Sequence, residues 1–370
     1  MESIERRWAR VLVEYSTGVR AGDVVAIVGG PAGEPLLRAI YGEVVRAGGH
    51  PVLLVDMAEY QGDLLRHGSD AQLDFVSDLD RFVREEADVF VRVSAATNTR
   101  ARSDVDPARE TRLTQARRGL GTAMMARAAA GELRWSLTLY PTPAYAQDAD
   151  LSTDEFADLL VRACKLDQDD PVAAWVRLRE QQQRLIEWLD GKDEVRLTGP
   201  ETDLRMSIAG RSWVNSDGRR NFPSGEIFTG PVEGSVEGTV RFSYPVVTKG
   251  REIADVRLRF AGGVVVEASA SKGEEHLVQA LDTDEGARRL GEFAFGTNMD
   301  LQRFTKTILL DEKIGGTVHM AVGAGYPDTG SVNRSAIHWD LICDLRRGGQ
   351  VTVDGEPFLV DGRFVPHPLT

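Results

Sequence analysis

Residues 23–56 read DVVAIVGGPAGEPLLRAIYGEVVRAGGHPVLLVD, and this stretch decides the fold of the first half of the chain. DVVAIVGG is an apolar run bounded by glycines, the mark of a buried strand. GEPLLRAIYGEVVRAGG spaces its apolar residues as one face of a helix, and HPVLLVD returns to strand. A strand, a helix and a strand joined by short turns form a crossover unit, so the two strands lie parallel with the helix against them.

The same stretch is tempting as a dinucleotide site, with Asp56 where an acid would meet a ribose. Its glycines give G-G-x-x-G at 29, 30 and 33, not the G-x-G-x-x-G that lets the backbone approach a pyrophosphate. A tight strand-to-helix turn accounts for them without a ligand.

Working outward, DVFVRVSA (88–95) and LRWSLTLYPT (133–142) are further strands, separated by an Arg- and Ala-rich helical stretch from about 106 to 130. Two helical segments follow, STDEFADLLVRACKL and PVAAWVRLREQQQRLIEWLDG; the first opens on a capping box, Ser152 to Glu155. The texture then changes. DEVRLTG, TDLRMSIAG, GTVRFSYPVV, EIADVRLRFAGGVVVEASA and QVTVDGEPFLVDGRFV alternate with Gly and Asp turns, as antiparallel strands do. One helix is expected among them, near 274–292. The class is α/β: a parallel-sheet α/β domain over 1–190, then a mainly antiparallel α+β metal-binding domain over 191–370.

At 370 residues, two domains are the default. A hydrophobic content of 42% with 27% charged residues is that of a globular chain. No apolar run reaches the ~20 residues of a bilayer span, and MESIERRWARVLVEY lacks the apolar core of a signal peptide. The only cysteines, Cys164 and Cys343, exclude a disulfide framework and a thiolate zinc site, so a reducing cytoplasm is the expected location. A net charge of −13 argues against nucleic acid as partner and suits an enzyme of small molecules or peptides, or a cation binder.

The chemistry sits in the second half. In SVNRSAIHWDLICDL (331–345), strand alternation puts Ile337, Trp339, Leu341, Cys343 and Leu345 on one face. His338 and Asp340 share the other, ~7 Å apart along the backbone. A buried carboxylate needs a partner, either a metal or a hydrogen-bonding group, and a structural His–Asp pair meets that need as well as an ion does. His319 lies in a second strand-like run, GTVHMAVG, with small Thr317 and Ala321 on its face. Glu312 ends an apolar segment in LLDEKIGG, beside Asp311. Glu292 lies in ARRLGEFAFGTN and Glu226 in NFPSGEIFTGP. Singly each acid reads as a solvated surface group. Together they are imidazoles and carboxylates without thiolates, a donor set suited to Zn, Co, Mn or Fe. His50, His67, His276 and His367 read as ordinary surface or packing residues.

The segments FPSGEIFTGP, LGEFAFGTN, DEKIGGTVHMAVGAGYP and NRSAIHWDLI, in that order and spacing, resemble the aminopeptidase T family of metallo-aminopeptidases, the M29 peptidases. The resemblance is strongest from about residue 199 to 365. It implies two divalent ions, Zn, Co or Mn, ligated by Glu226, Glu292, Glu312, His319, His338 and Asp340, with Glu292 as the bridging carboxylate. Tyr326, in AGYP, matches a family tyrosine near the metals, so Tyr326 and Glu292 are the expected catalytic residues. The implied activity is release of N-terminal residues from peptides with a free amine, by a hydroxide bridging the two ions, in a homodimer. His319, His338 and Asp340 alone also compose the triad of a mononuclear iron oxygenase. A ring-cleaving dioxygenase on the same fold is therefore the competing expectation, and a non-catalytic metal or peptide binder the third.

Overall fold

The unit at 23–56 forms as its pattern requires. In the computed structural model, which describes residues 2–248, 251–367 and 369, Val24–Gly29 pairs in parallel with His50–Val55. Helix Glu34–Arg46 between them buries Leu36, Leu37, Ile40 and Val44, one stripe of a 3.6-residue period. Val89–Ser94 adds to the other edge of Val24–Gly29, and Arg134–Leu139 to the far edge of Val89–Ser94, again in parallel. A Cβ on Gly33 would stand 3.1 Å from a Val93 methyl, so this glycine lets the turn sit on the sheet. Asp56 pairs with Arg92. The glycines and the acid that imitate a nucleotide site thus have structural partners.

The Arg- and Ala-rich helix runs Pro107–Ala129, with Asp106 as N-cap accepting from the Ala108 N–H at 2.8 Å. It buries little beyond Leu113 and Leu120. Its arginines bind neighbouring segments: Arg112 pairs with Asp70 and Asp74 at 2.7 and 2.6 Å, and Arg109 donates to the Leu65 and Gly68 carbonyls. The capping box at Ser152 is present in both directions, with the Ser152 N–H donating to Glu155 at 2.9 Å and the Glu155 N–H to Ser152 Oγ at 3.2 Å.

The chain divides into two compact units, Met1–Ala174 with Gly218–Pro223, and Trp175–Asp217 with Ser224–Thr370. The short return of the chain to the first unit has a simple basis. Asn221–Phe222 pairs in parallel with Leu137 and Thr138 as a fifth strand. Two residues carry no periodicity, so nothing in the sequence announces it.

The second unit holds two larger antiparallel sheets. One has eight strands in the order Val264–Ser269, Val256–Ala261, Glu237–Phe242, Thr202–Ser207, Glu194–Gly199, Gln350–Val353, Glu356–Val360 and Arg363–Phe364. The other runs His338–Cys343, Val318–Gly323, Leu290–Gly296, Glu226–Thr229 and Val214–Ser216. Leu197, Leu204, Met206, Val240 and Phe242 of the first pack in one core with Phe293, Phe295, Val318, Met320, Leu341 and Cys343 of the second. The helix expected over 274–292 is corrected. It spans only Glu274–Leu281, and 290–296 is a strand. Its apolar stripe ends at Leu281, and Asp284 then takes the Ala287 and Ala336 N–H groups at 2.9 and 2.6 Å, which favours a turn.

Candidate metal centre

The five-stranded sheet has an apolar and a polar face. Phe293 and Phe295, Val318, Met320 and Val322, and Leu341 and Cys343 enter the core. By alternation, Glu292, His319, His338 and Asp340 point to the other face, as expected for 337–345. The register gathers them. Glu292 pairs with Ala321, and Ala321 with Asp340. His319 lies between Ala294 and Ile342, His338 is opposite Gly323, and Glu226 is opposite Gly296. Small residues at 294, 296, 321 and 323 leave the polar side chains room to converge. An extra residue at Gly291 shifts the ladder between Leu290 and Glu292. That shift keeps Leu290 in the core while Glu292 joins the polar face. Gln182 is fully buried and steadies the adjoining strand by donating to the Glu226 carbonyl at 2.6 Å.

The six expected ligands lie in one cluster. His319 Nε2 is 3.2 Å from Glu226 Oε2 and 3.3 Å from Glu292 Oε1. His338 Nε2 is 3.6 Å from Glu292 Oε2 and 3.5 Å from Asp340 Oδ1. The Glu292 carboxylate therefore turns one oxygen to each imidazole. His338 Nδ1 lies 2.8 Å from the Ala324 carbonyl. As donor there it leaves Nε2, once that nitrogen gives up its proton, free to bind a metal, the arrangement usual for metal-bound histidines. Glu226, Glu312 and His319 offer donor atoms within 4.8 Å of one another, as do Glu292, His319 and Asp340. Tyr326 stands at the open side, 39% exposed, its ring 5.0 Å from that of His338 and 5.4 Å from that of Phe228.

The electrostatics follow from packing four acids together. Burial pushes the Glu292 carboxyl up, and Asp340 and Glu226 add to the rise. Burial likewise raises Glu312 to about 7. For Glu226 burial is outweighed by Lys313 and His319, which hold it down at about 2. For His319 burial is outweighed by Glu226 and Glu292, and the ring is pushed up to about 10. His338, beside Asp340, rises to about 9. Burial and then the charges of Glu292 and Asp340 push the Tyr326 hydroxyl up, so it stays protonated.

Lys313 is the participant that sequence reasoning missed. It is 1% exposed and lies 2.6 Å from Glu226 Oε1, in contact also with Glu312. The available signal was its place inside LLDEKIGG, a lysine in an apolar and Gly-rich run. Asp311, by contrast, is turned away from the cluster; it accepts from the Thr305 N–H and hydroxyl at 2.8 and 2.7 Å.

The cluster fits a cation. Glu226 Oε2, Asp340 Oδ1 and both His319 nitrogens are buried without a hydrogen-bond partner among the described residues. Unsatisfied lone pairs at such depth are costly, and an ion removes the cost. Imidazole and carboxylate donors suit divalent Zn, Co or Mn.

A mixed α/β chain with a nitrogen- and oxygen-donor cluster on one sheet face is built as a metalloprotein of the hydrolase or oxygenase kind. The family model of the thermophilic metalloproteases (M29) matches residues 2–364. The chain belongs to this family. Aminopeptidase 2 of Geobacillus stearothermophilus is 35% identical over 271 residues, 62% of this chain and 65% of that protein. Aminopeptidase T of Thermus aquaticus is 34% identical over 232 residues, 56% of each chain. The matched stretches thus span less than two thirds of these relatives. The solved structure of wild-type AmpT from Thermus thermophilus shares the fold with a TM-score of 0.84, at 24% identity over 98% of this chain and 99% of that one. The 2,5-dihydroxypyridine dioxygenase of Pseudomonas putida KT2440 aligns with a TM-score of 0.58 and 14% identity, over 98% and 96%. These two likenesses concern the fold alone.

Proposed function

We propose that the protein is a metal-dependent aminopeptidase that removes N-terminal residues from peptides at a centre for two divalent ions, Zn, Co or Mn. Glu226, Glu292, Glu312, His319, His338 and Asp340 are the ligands in this reading, and residues 191–370 are the catalytic domain behind an N-terminal α/β domain of 1–190. The observation that carries it is the Glu292 carboxylate, with Oε1 3.3 Å from His319 and Oε2 3.6 Å from His338. A carboxylate so divided suits a bridge between two ions, and a single iron leaves Glu226 and Glu312 without a use.

Two ions held there would lower the pKa of a shared water toward neutrality and supply the nucleophile. The rest falls to the chain. The acids draw in the ammonium of a peptide N-terminus. Tyr326, protonated and at the open side, donates its hydroxyl to the oxygen that gains charge as the carbonyl is attacked. A carboxylate of the cluster that the ions leave partly free passes a proton to the leaving amine. The family resemblance adds a homodimer, and the two distant cysteines a reducing, cytoplasmic location.

The test uses paired peptides of one sequence, with the terminal amine free or acetylated. The free peptide is cleaved one residue at a time, and the acetylated peptide resists. Equal cleavage of both would make the protein an endopeptidase. Oxygen uptake on a dihydroxypyridine, with one iron per chain, would replace this reading by the dioxygenase.

A further inference from the structure

Lys313 is held from two sides. Its main chain is fixed at both ends: Asn298, just past the strand Leu290–Gly296, donates its N–H to the Lys313 carbonyl at 3.1 Å, and Lys313 N–H donates to the carbonyl of Leu310, in the helix Ile308–Asp311, at 2.9 Å. Gly296 makes this approach possible, since a Cβ there would stand 2.1 Å from the Ile314 carbonyl oxygen. The ammonium ends between two carboxylates, 2.6 Å from Glu226 Oε1 and against Glu312 Oε1. Glu226 Oε2 remains without a hydrogen bond and faces His319 Nε2 at 3.2 Å.

We propose that Lys313 is a positioning residue of the metal centre: it takes one oxygen of Glu226 and one of Glu312, and leaves the second oxygen of each for the ion they share with His319. The inference rests on the cluster being a metal centre. A carboxylate anchored by one oxygen loses less rotamer freedom when its other oxygen binds a cation. Partners behind metal ligands commonly act in this way. A second role has the opposite signature. If Lys313 served only as a counter-charge, it would repel an incoming cation, and its loss would tighten binding.

The two roles separate in a titration of the full, metal-free chain with Co(II) against a competing chelator, followed by the Co(II) absorption spectrum. In Lys313→Met the ion of Glu226, Glu312 and His319 should bind 10–100-fold more weakly, as for other partners behind ligands. The ion of His338 and Asp340 should change far less, and Lys313→Arg should recover part of the loss. If Lys313→Met does not fold, Lys313→Gln, which keeps a donor, is titrated instead, and the same selective weakening is expected. Unchanged or tighter binding of both ions overturns the positioning role. A parent protein that binds no divalent ion fails the metal-centre reading itself, which is a different result.

Discussion

Asp340 carries the question raised by H-x-D, because a structural pair and a metal ligand use the same two residues. Asp340→Asn keeps the shape and removes the charge. As a pair with His338 alone, it would cost ~1–3 kcal/mol of stability and leave metal content intact. As a ligand, its loss lowers metal content and takes activity down by orders of magnitude; elemental analysis of the purified variant distinguishes the two. The imidazoles allow a second measurement. His319 and His338 are raised from 6.5 to about 10 and about 9 despite burial, because the acids face them. In the metal-free protein their ion pairs stabilise fully below pH 6.5, and that contribution is lost as pH rises through 9 to 10. Glu226, lowered from 4.5 to about 2, stabilises above 4.5 and loses its contribution as pH falls through 2. Both rings are therefore protonated at pH 7 without metal, and ligation must expel the protons. Calorimetry in buffers of differing ionisation enthalpy should find at least two protons released per chain on metal binding, with Glu312, raised to about 7, adding to them. Release of none would remove both histidines from the ligand set.

At the scale of elements, the extra residue at Gly291 links strand geometry to the site. A Cβ there would stand 2.3 Å from the Ala324 carbonyl oxygen, the group that His338 Nδ1 faces at 2.8 Å. Gly291→Ala must push this carbonyl and with it the ring. The expected outcome is a folded protein, destabilised by ~1–3 kcal/mol, with reduced metal content, checked by denaturant unfolding and elemental analysis. Ile342→Val is the control. Ile342 is fully buried and opposite His319 in the ladder, so losing one methyl should cost ~0.5–1.5 kcal/mol and leave metal content unchanged. If Ile342→Val also loses metal, general packing and not His338 orientation governs the site.

For the whole molecule, four acids and two imidazoles from four strands and the end of the helix Ile308–Asp311 are held together before any ion arrives. Active protein should therefore carry about two ions per chain. Metal should also stabilise the fold, by about 2.7 kcal/mol at a free concentration 100 times Kd. A chelator would lower the unfolding temperature of the parent, and added Co or Zn would leave that of Asp340→Asn nearly unmoved. Among the described residues, no helix is long and apolar enough to cross a membrane, which agrees with the absence of a long apolar run in the sequence.

What the sequence determined is what short-range periodicity carries. The parallel unit at 23–56, the cap at Ser152 and the alternation at 337–345 each depend on neighbours within a few residues, so the pattern shows them directly. The face of His319 was legible for the same reason, whereas Glu292 fell at the end of the expected helix and entered the candidate set through the resemblance in motif order that joined six separated residues. Tertiary structure decided the rest. The end of the helix at Leu281 depends on Asp284 capping N–H groups that include Ala336, 52 positions away. The two-residue strand at 221–222 exists only because Leu137 and Thr138 lie beside it. Lys313 reads as a solvated lysine until Glu226, 87 residues earlier in the chain, is folded against it. Burial of a charge is a property of what surrounds it, and those surroundings come from strands that only the folded sheet brings together.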